Sequence, residues 1–65
     1  MKRGDLIIFD SKNYSVHSRY ARNYVGKLYM FLGVSVSCYS SNWAEVVDCG
    51  SGIIHRLLRD DLKVV

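Results

Sequence analysis

The sequence predicts an all-β protein, a small five-stranded barrel with a long first loop and one short helical turn before the last strand. Short runs of branched and aromatic residues recur between glycine, serine and aspartate clusters, as strands between turns do. The longest run alternates with period two, the signature of an extended chain. At 65 residues, with 49% of them hydrophobic, the chain makes one globular domain, residues 1–65, with no second core. Closing five short strands into a barrel is how such a chain avoids exposed sheet edges.

Taken in order, Asp5–Phe9 (DLIIF) is a strand bounded by Gly4 and by Asp10-Ser11. Residues 11–24 are polar, tyrosine-rich and without alternation, which predicts a long loop; a short helix over Val16–Tyr24 is the alternative, since Val16, Tyr20 and Tyr24 recur every four residues. Lys27–Cys38 (KLYMFLGVSVSC) is the clearest strand, with Gly33 inviting a bend or bulge in its interior. Its alternation sets Leu28, Met30, Leu32, Val34, Val36 and Cys38 against Lys27, Tyr29, Phe31, Gly33, Ser35 and Ser37. Tyr39–Asn42 (YSSN) is a turn, Trp43–Asp48 a strand, CGSG a tight glycine turn and Ile53–Leu58 the returning strand. Leu58–Leu62 (LRDDL) suits one helical turn, and Lys63–Val65 closes the barrel. The expected core is Leu6, Ile8, Leu28, Met30, Leu32, Val34, Val46, Ile54, Leu62 and Val64.

Composition excludes several classes. A domain this small buries only about 60% of the surface its unfolded chain exposes, which leaves little pocket to exclude water. Paired as a hairpin, the two strands set Cys38 and Cys49 on the order of 15–20 Å apart, against roughly 7 Å for a disulfide; two free thiols are expected, in a reducing compartment. Neither cysteine has zinc-like spacing to His17 or His55, so no metal or other cofactor is expected. There is no apolar run of about 18 residues to span a membrane. The start MKRGDLIIF has only four consecutive apolar residues, too few for a secretory signal, and a cytoplasmic setting is expected.

The net charge of +3 says less than its distribution. Residues 11–27 hold Lys12, Arg19, Arg22 and Lys27 and no acid, while Asp5, Asp10, Glu45, Asp48, Asp60 and Asp61 lie elsewhere. Tyr14, Tyr20 and Tyr24 interleave with the arginines, a pattern able to stack on bases while cations meet phosphates. The plainer reading is a solvated loop whose tyrosines pack on the barrel wall. Cys49 and His55 have no third group to orient them as a nucleophile pair, and Asp60-Asp61 reads as turn capping, so no enzyme is expected.

The pattern GDLIIF…GKLYMFLGV…WAEVVDCGSGIIHRLLRDDLKVV resembles an SH3-like barrel over nearly the whole chain, with residues 10–26 as the long first loop and CGSG as the distal turn. It is also similar to small single-barrel proteins encoded by bacteriophages, which implies host cytoplasm. On that resemblance Trp43 opens the third strand facing a ligand groove; the alternative is that it caps the barrel end. The proline and tyrosine that SH3 domains use for proline-rich peptides are replaced here by Leu58 and Asp61, which argues against that ligand. The expectation is a non-enzymatic binding module. Its favoured partner is a protein, a host target or a second copy, met by an outer face of Tyr29, Phe31, Trp43 and Val47. The alternative partner is nucleic acid, met by Lys12, Tyr14, Arg19, Tyr20, Arg22 and Lys27. No membrane and no small-molecule substrate are implied.

Overall fold

The computed structural model describes residues 1–34 and 42–65. Cys38, the end of the long strand and most of the Tyr39–Asn42 turn fall outside the described residues. The order is β1 (Leu6–Phe9), a first 3-10 turn (Ser11–Asn13), α1 (Arg19–Arg22), β2 (Leu28–Val34), β3 (Trp43–Asp48), β4 (Ile54–Leu58), a second 3-10 turn (Arg59–Asp61) and β5 (Leu62–Val64). All five strands pair antiparallel in one sheet, in the order β4-β3-β2-β1-β5. The fold class is as the sequence predicts. Between loop and helix over 11–24, the chain takes two single turns within a loop.

The connections force the sheet to curl. β4 and β5 are its two edges, yet only Arg59–Asp61 lies between them. Laid flat, edges four strands apart are separated by about 19 Å. A 3-10 turn rises only about 2 Å per residue and could not bridge that gap. The sheet therefore rolls until its edges converge at this link, and its concave face becomes the core. Backbone bonds tie the link in place: the Arg59 amide donates to the Asn42 carbonyl at 2.6 Å, and the Asp10 amide to the Asp61 carbonyl at 2.7 Å.

Local chemistry sets the turns. Asp48, at the end of β3, accepts the Gly50 amide on its carboxylate at 2.8 Å, and the Gly52 amide donates to its carbonyl at 2.8 Å. Gly52 has φ +77°, a left-handed backbone that glycine adopts without strain. The Gly50 amide first, then the Ser51 amide and the nearby Lys27 charge, hold the Asp48 carboxyl below its usual range against an opposing push from burial. Its contribution to stability is thus present above the ordinary carboxylate range and lost as pH falls through the depressed value. The register shift between Phe31 and Gly33 is the irregularity expected at Gly33, whose φ is +149°.

The core overturns part of the sequence reading. Ile7, Phe9, Ala21, Tyr29, Phe31, Ala44, Val46 and Leu57 are buried, with Tyr14, Tyr24 and Leu62 packed against them. Val46 and Leu62 were expected there; Leu6, Ile8, Leu28, Val34, Ile54 and Val64 are instead exposed. Met30 and Leu32 are only half-buried. Tyr29 and Phe31, expected on the outer face, line the interior. Pairing explains the inversion. Phe31 lies opposite Val46, so both must share a face, and Val46 alternates with the charged Glu45, which stands opposite Arg56.

The inversion has a direct test. Ile7→Ala should cost about 2–5 kcal/mol in urea unfolding, whereas Ile8→Ser, one residue on, should cost less than about 1 kcal/mol. Equal losses at both positions would mean that the two faces are not distinguished as described.

Candidate functional site

Two surfaces result, one on each side of the sheet. The first is the outer face. Cross-strand pairing places Leu6, Met30, Val47 and Ile54 in one row across β1–β2–β3–β4. Ile8 and Leu28 form the row beside it. Beyond Val47 come the Glu45–Arg56 pair and then Trp43 opposite Leu58. Trp43 and Val47 lie on this face, as expected, and both are half-buried. Tyr29 and Phe31 are replaced by aliphatic neighbours from the same strand. Leu6, Ile8 and Leu28 each keep about two-fifths of their surface exposed and Ile54 keeps 59%. Together these residues form an exposed apolar cluster on one side of the sheet.

The second surface is the first loop, residues 10–27, which folds back over the mouth of the concave face. Asp10 caps the first 3-10 turn by accepting the Lys12 amide at 3.0 Å. Ser18 caps α1 by accepting the Ala21 amide at 3.2 Å. The turn so fixed drops Ala21 into the core. The tyrosines then pack on Phe9: Tyr14 and Tyr24 each at 5.6 Å between ring centroids, Tyr20 at 6.1 Å. Tyr20 bridges Tyr14 and Tyr24 at 5.6 and 5.2 Å. Of the residues expected to meet nucleic acid, Lys12, Arg19, Arg22 and Lys27 are exposed, Tyr20 keeps 38% of its surface exposed beside its ring contacts, and Tyr14 is half-buried. The loop is a wall of the core.

One polar bond anchors that wall. The Tyr14 hydroxyl donates to the Asp61 carboxylate at 2.6 Å, joining the two 3-10 turns, and Asp61 is buried. The bond pushes the Tyr14 phenol up to about 12, with burial and the nearby Asp61 and Tyr20 charges adding to it. Burial likewise raises the phenol of Tyr20, helped by Tyr24 and Asp61. Asp61, read from sequence as solvated turn capping, is a structural acceptor instead. The sequence signal was its place between two leucines, Leu58 and Leu62, in the short link between two strands.

At the other end of the interior, Tyr24 and Tyr29 stand edge-on to His55, at 5.5 and 6.1 Å. The Tyr29 hydroxyl is buried and has no protein partner among the described residues. Burial raises its phenol, and Asp48 and Tyr24 add to the shift. Cys49 is exposed and free. Among the described residues no group of His, Cys, Asp or Glu is arranged to hold a metal ion, and no helix is long and apolar enough to cross a membrane.

The hydroxyls of Tyr14 and Tyr29 should respond in opposite senses to the same change. Tyr14→Phe strips a partner from a buried carboxylate and should cost about 1–3 kcal/mol; Tyr29→Phe removes an unpaired hydroxyl and should be neutral or slightly stabilising. pH gives a second readout. The unfolded chain releases the Tyr14 proton near 10 and the folded chain holds it to about 12. The stability from this contact is therefore whole below pH 10 and is lost as pH rises through about 12. Tyr14→Phe should flatten that alkaline loss, followed by circular dichroism; an unchanged profile would assign it to other groups. Compared with known proteins, the chain matches no family model, no curated protein and no solved structure.

Proposed function

We propose that this chain is a non-enzymatic protein-binding module that docks through the outer face of its sheet. The row Leu6–Met30–Val47–Ile54 carries the reading. Four strands present an apolar side chain at the same level, on a face whose neighbours Ile8 and Leu28 are also exposed. A solvated antiparallel sheet face ordinarily alternates to polar residues. Among the described residues paired across this face, the Glu45–Arg56 pair and Lys63 are the polar ones, and they border the apolar rows. The resemblance to phage-encoded barrels favours a host protein or a second copy as partner, in the host cytoplasm.

Nucleic acid remains the second reading, because the four loop cations are all exposed. It has lost most of its stacking platform, since Tyr14 and Tyr20 pack against Phe9 and each other. What is left is phosphate contact through Lys12, Arg19, Arg22 and Lys27.

One set of variants separates the readings. Val47→Glu and Ile54→Glu put charge into the apolar row at partly exposed positions. They should abolish concentration-dependent self-association in sedimentation, or capture of a purified partner, while leaving the β-sheet spectrum intact. Arg19→Ala with Arg22→Ala should leave that association unchanged. If the arginine variants alone lose binding, and log K falls with log salt at a slope of about −2 to −4, the outer-face reading is wrong and nucleic acid takes its place.

A further inference from the structure

We infer that the first loop forms a binding site for a small apolar carboxylate, separate from the outer face. A cavity of about 220 Å³ opens between the first 3-10 turn and α1. Its walls are the Tyr14 ring and the apolar side chains of Val16, Ala21 and Val25; Ser11, Ser15 and Arg22 bring polar groups to it. Arg22 also lines an adjoining shallow depression with Arg19 and Asn23. An apolar hollow and a basic shelf thus meet at one guanidinium. That juxtaposition matches a ligand with an apolar body and a single anionic head.

Part of the lining is fixed before any ligand arrives, while Val16 stands exposed at its edge. Tyr14 is pinned by its bond to Asp61 and by the Tyr14 amide donating to the Ser11 carbonyl at 2.9 Å. Ala21 is fixed by the Ser18 cap, and the Val25 amide donates to the Ala21 carbonyl at 3.0 Å. Pre-formed walls spare a ligand the entropy of ordering them. The electrostatics favour an anion. Residues 11–27 contain no acid; Asp10, next to Ser11, accepts the Lys12 amide, and the Asp61 carboxylate is buried and accepts the Tyr14 hydroxyl. Arg22 is exposed and lines both depressions, and a guanidinium binds a carboxylate in a planar, two-point fork.

Size narrows the class. The volume exceeds the roughly 150 Å³ that takes a benzene and falls short of the roughly 300–1,000 Å³ of drug-sized sites. A leucine-sized or phenyl-sized group fits, its carboxylate turned out toward Arg22. Two sources supply that chemistry: a free small acid, or the C-terminal residue of a polypeptide.

The test uses the isotope-labelled full chain, titrated with N-acetyl-leucine and followed by amide chemical shifts. Saturable shifts confined to residues 11–25 are expected, with affinity about tenfold weaker for the neutral N-acetyl-leucinamide. Acetate, which lacks the apolar body, should produce no saturable shift. Arg22→Gln should weaken N-acetyl-leucine binding by a similar factor and Val16→Asn by a smaller one, both with unchanged thermal unfolding because both side chains are exposed. A peptide ending in leucine distinguishes the sources: tighter binding than the free amino-acid derivative, abolished by C-terminal amidation, points to a polypeptide terminus, and equal binding to a free acid. No saturable shift at about 20 mM probe, equal affinity for acid and amide, or wild-type affinity in Arg22→Gln would each overturn the inference. None of these outcomes depends on the outer face, which Val47→Glu tests by itself.

Discussion

The three-residue link between the edge strands is the constraint from which the rest follows. Because β4 and β5 stand at opposite edges of the sheet and are joined only by Arg59–Asp61, the sheet has to roll. Rolling gives it a concave face of small area and a convex face of larger area. The concave side chains must then fill a short, narrow interior, which large rings do with few residues: Phe9, Tyr29 and Phe31, set against the small Ala21 and Ala44. The aliphatic residues of β1 and β2 are left on the convex side.

Rolling also leaves the interior open at its mouth, and the first loop covers it. Asp61 makes the closure cooperative. Its carbonyl accepts the Asp10 amide and its carboxylate accepts the Tyr14 hydroxyl, so the link that closes the barrel also fastens the loop. A loop that stacks three tyrosines on Phe9 behaves as a part of the core with charges on its outer surface.

How much of this was legible in the sequence depended on which residues carried the signal. Strand positions, the Gly33 irregularity and the CGSG turn were readable because glycine and period-two alternation report directly on backbone geometry. The facing of β1 and β2 was not. Leu6 and Ile8 compete with Ile7 and Phe9, and Leu28 and Met30 with Tyr29 and Phe31, so alternation offers two apolar faces and no preference. The decision lies in β3 and β4, where Glu45 and Arg56 must point outward, and it reaches β2 only through pairing of Val46 with Phe31. Single-strand patterning carries no information about register, and register is what transferred the constraint. Trp43 and Val47 lie on the outer face that the SH3 resemblance implies, since they alternate with the buried Ala44 and Val46 and share a side with Glu45.

The loop stood between two readings for a related reason, and its tyrosines follow the plainer one, packing on Phe9. Tyrosines among cations suit base stacking and core packing equally well by composition, and the distinction lies in what each hydroxyl and ring meets. Tyr14 meets Asp61, an acid distant in sequence, and no local pattern announces that pairing. The cavity beside it is equally invisible in one dimension, since its walls come from two separate turns of an irregular segment. Physically, the two surfaces are complementary. The outer face is aliphatic, with its charges at the border, whereas the loop gathers four cations around an aromatic wall. A partner drawn to one has no chemical reason to prefer the other. The core separates them, and Asp61 ties the loop to the barrel. Weakening that tie should therefore disturb the loop surface before it disturbs the sheet, because the convex rows are held by backbone ladders that do not pass through Tyr14.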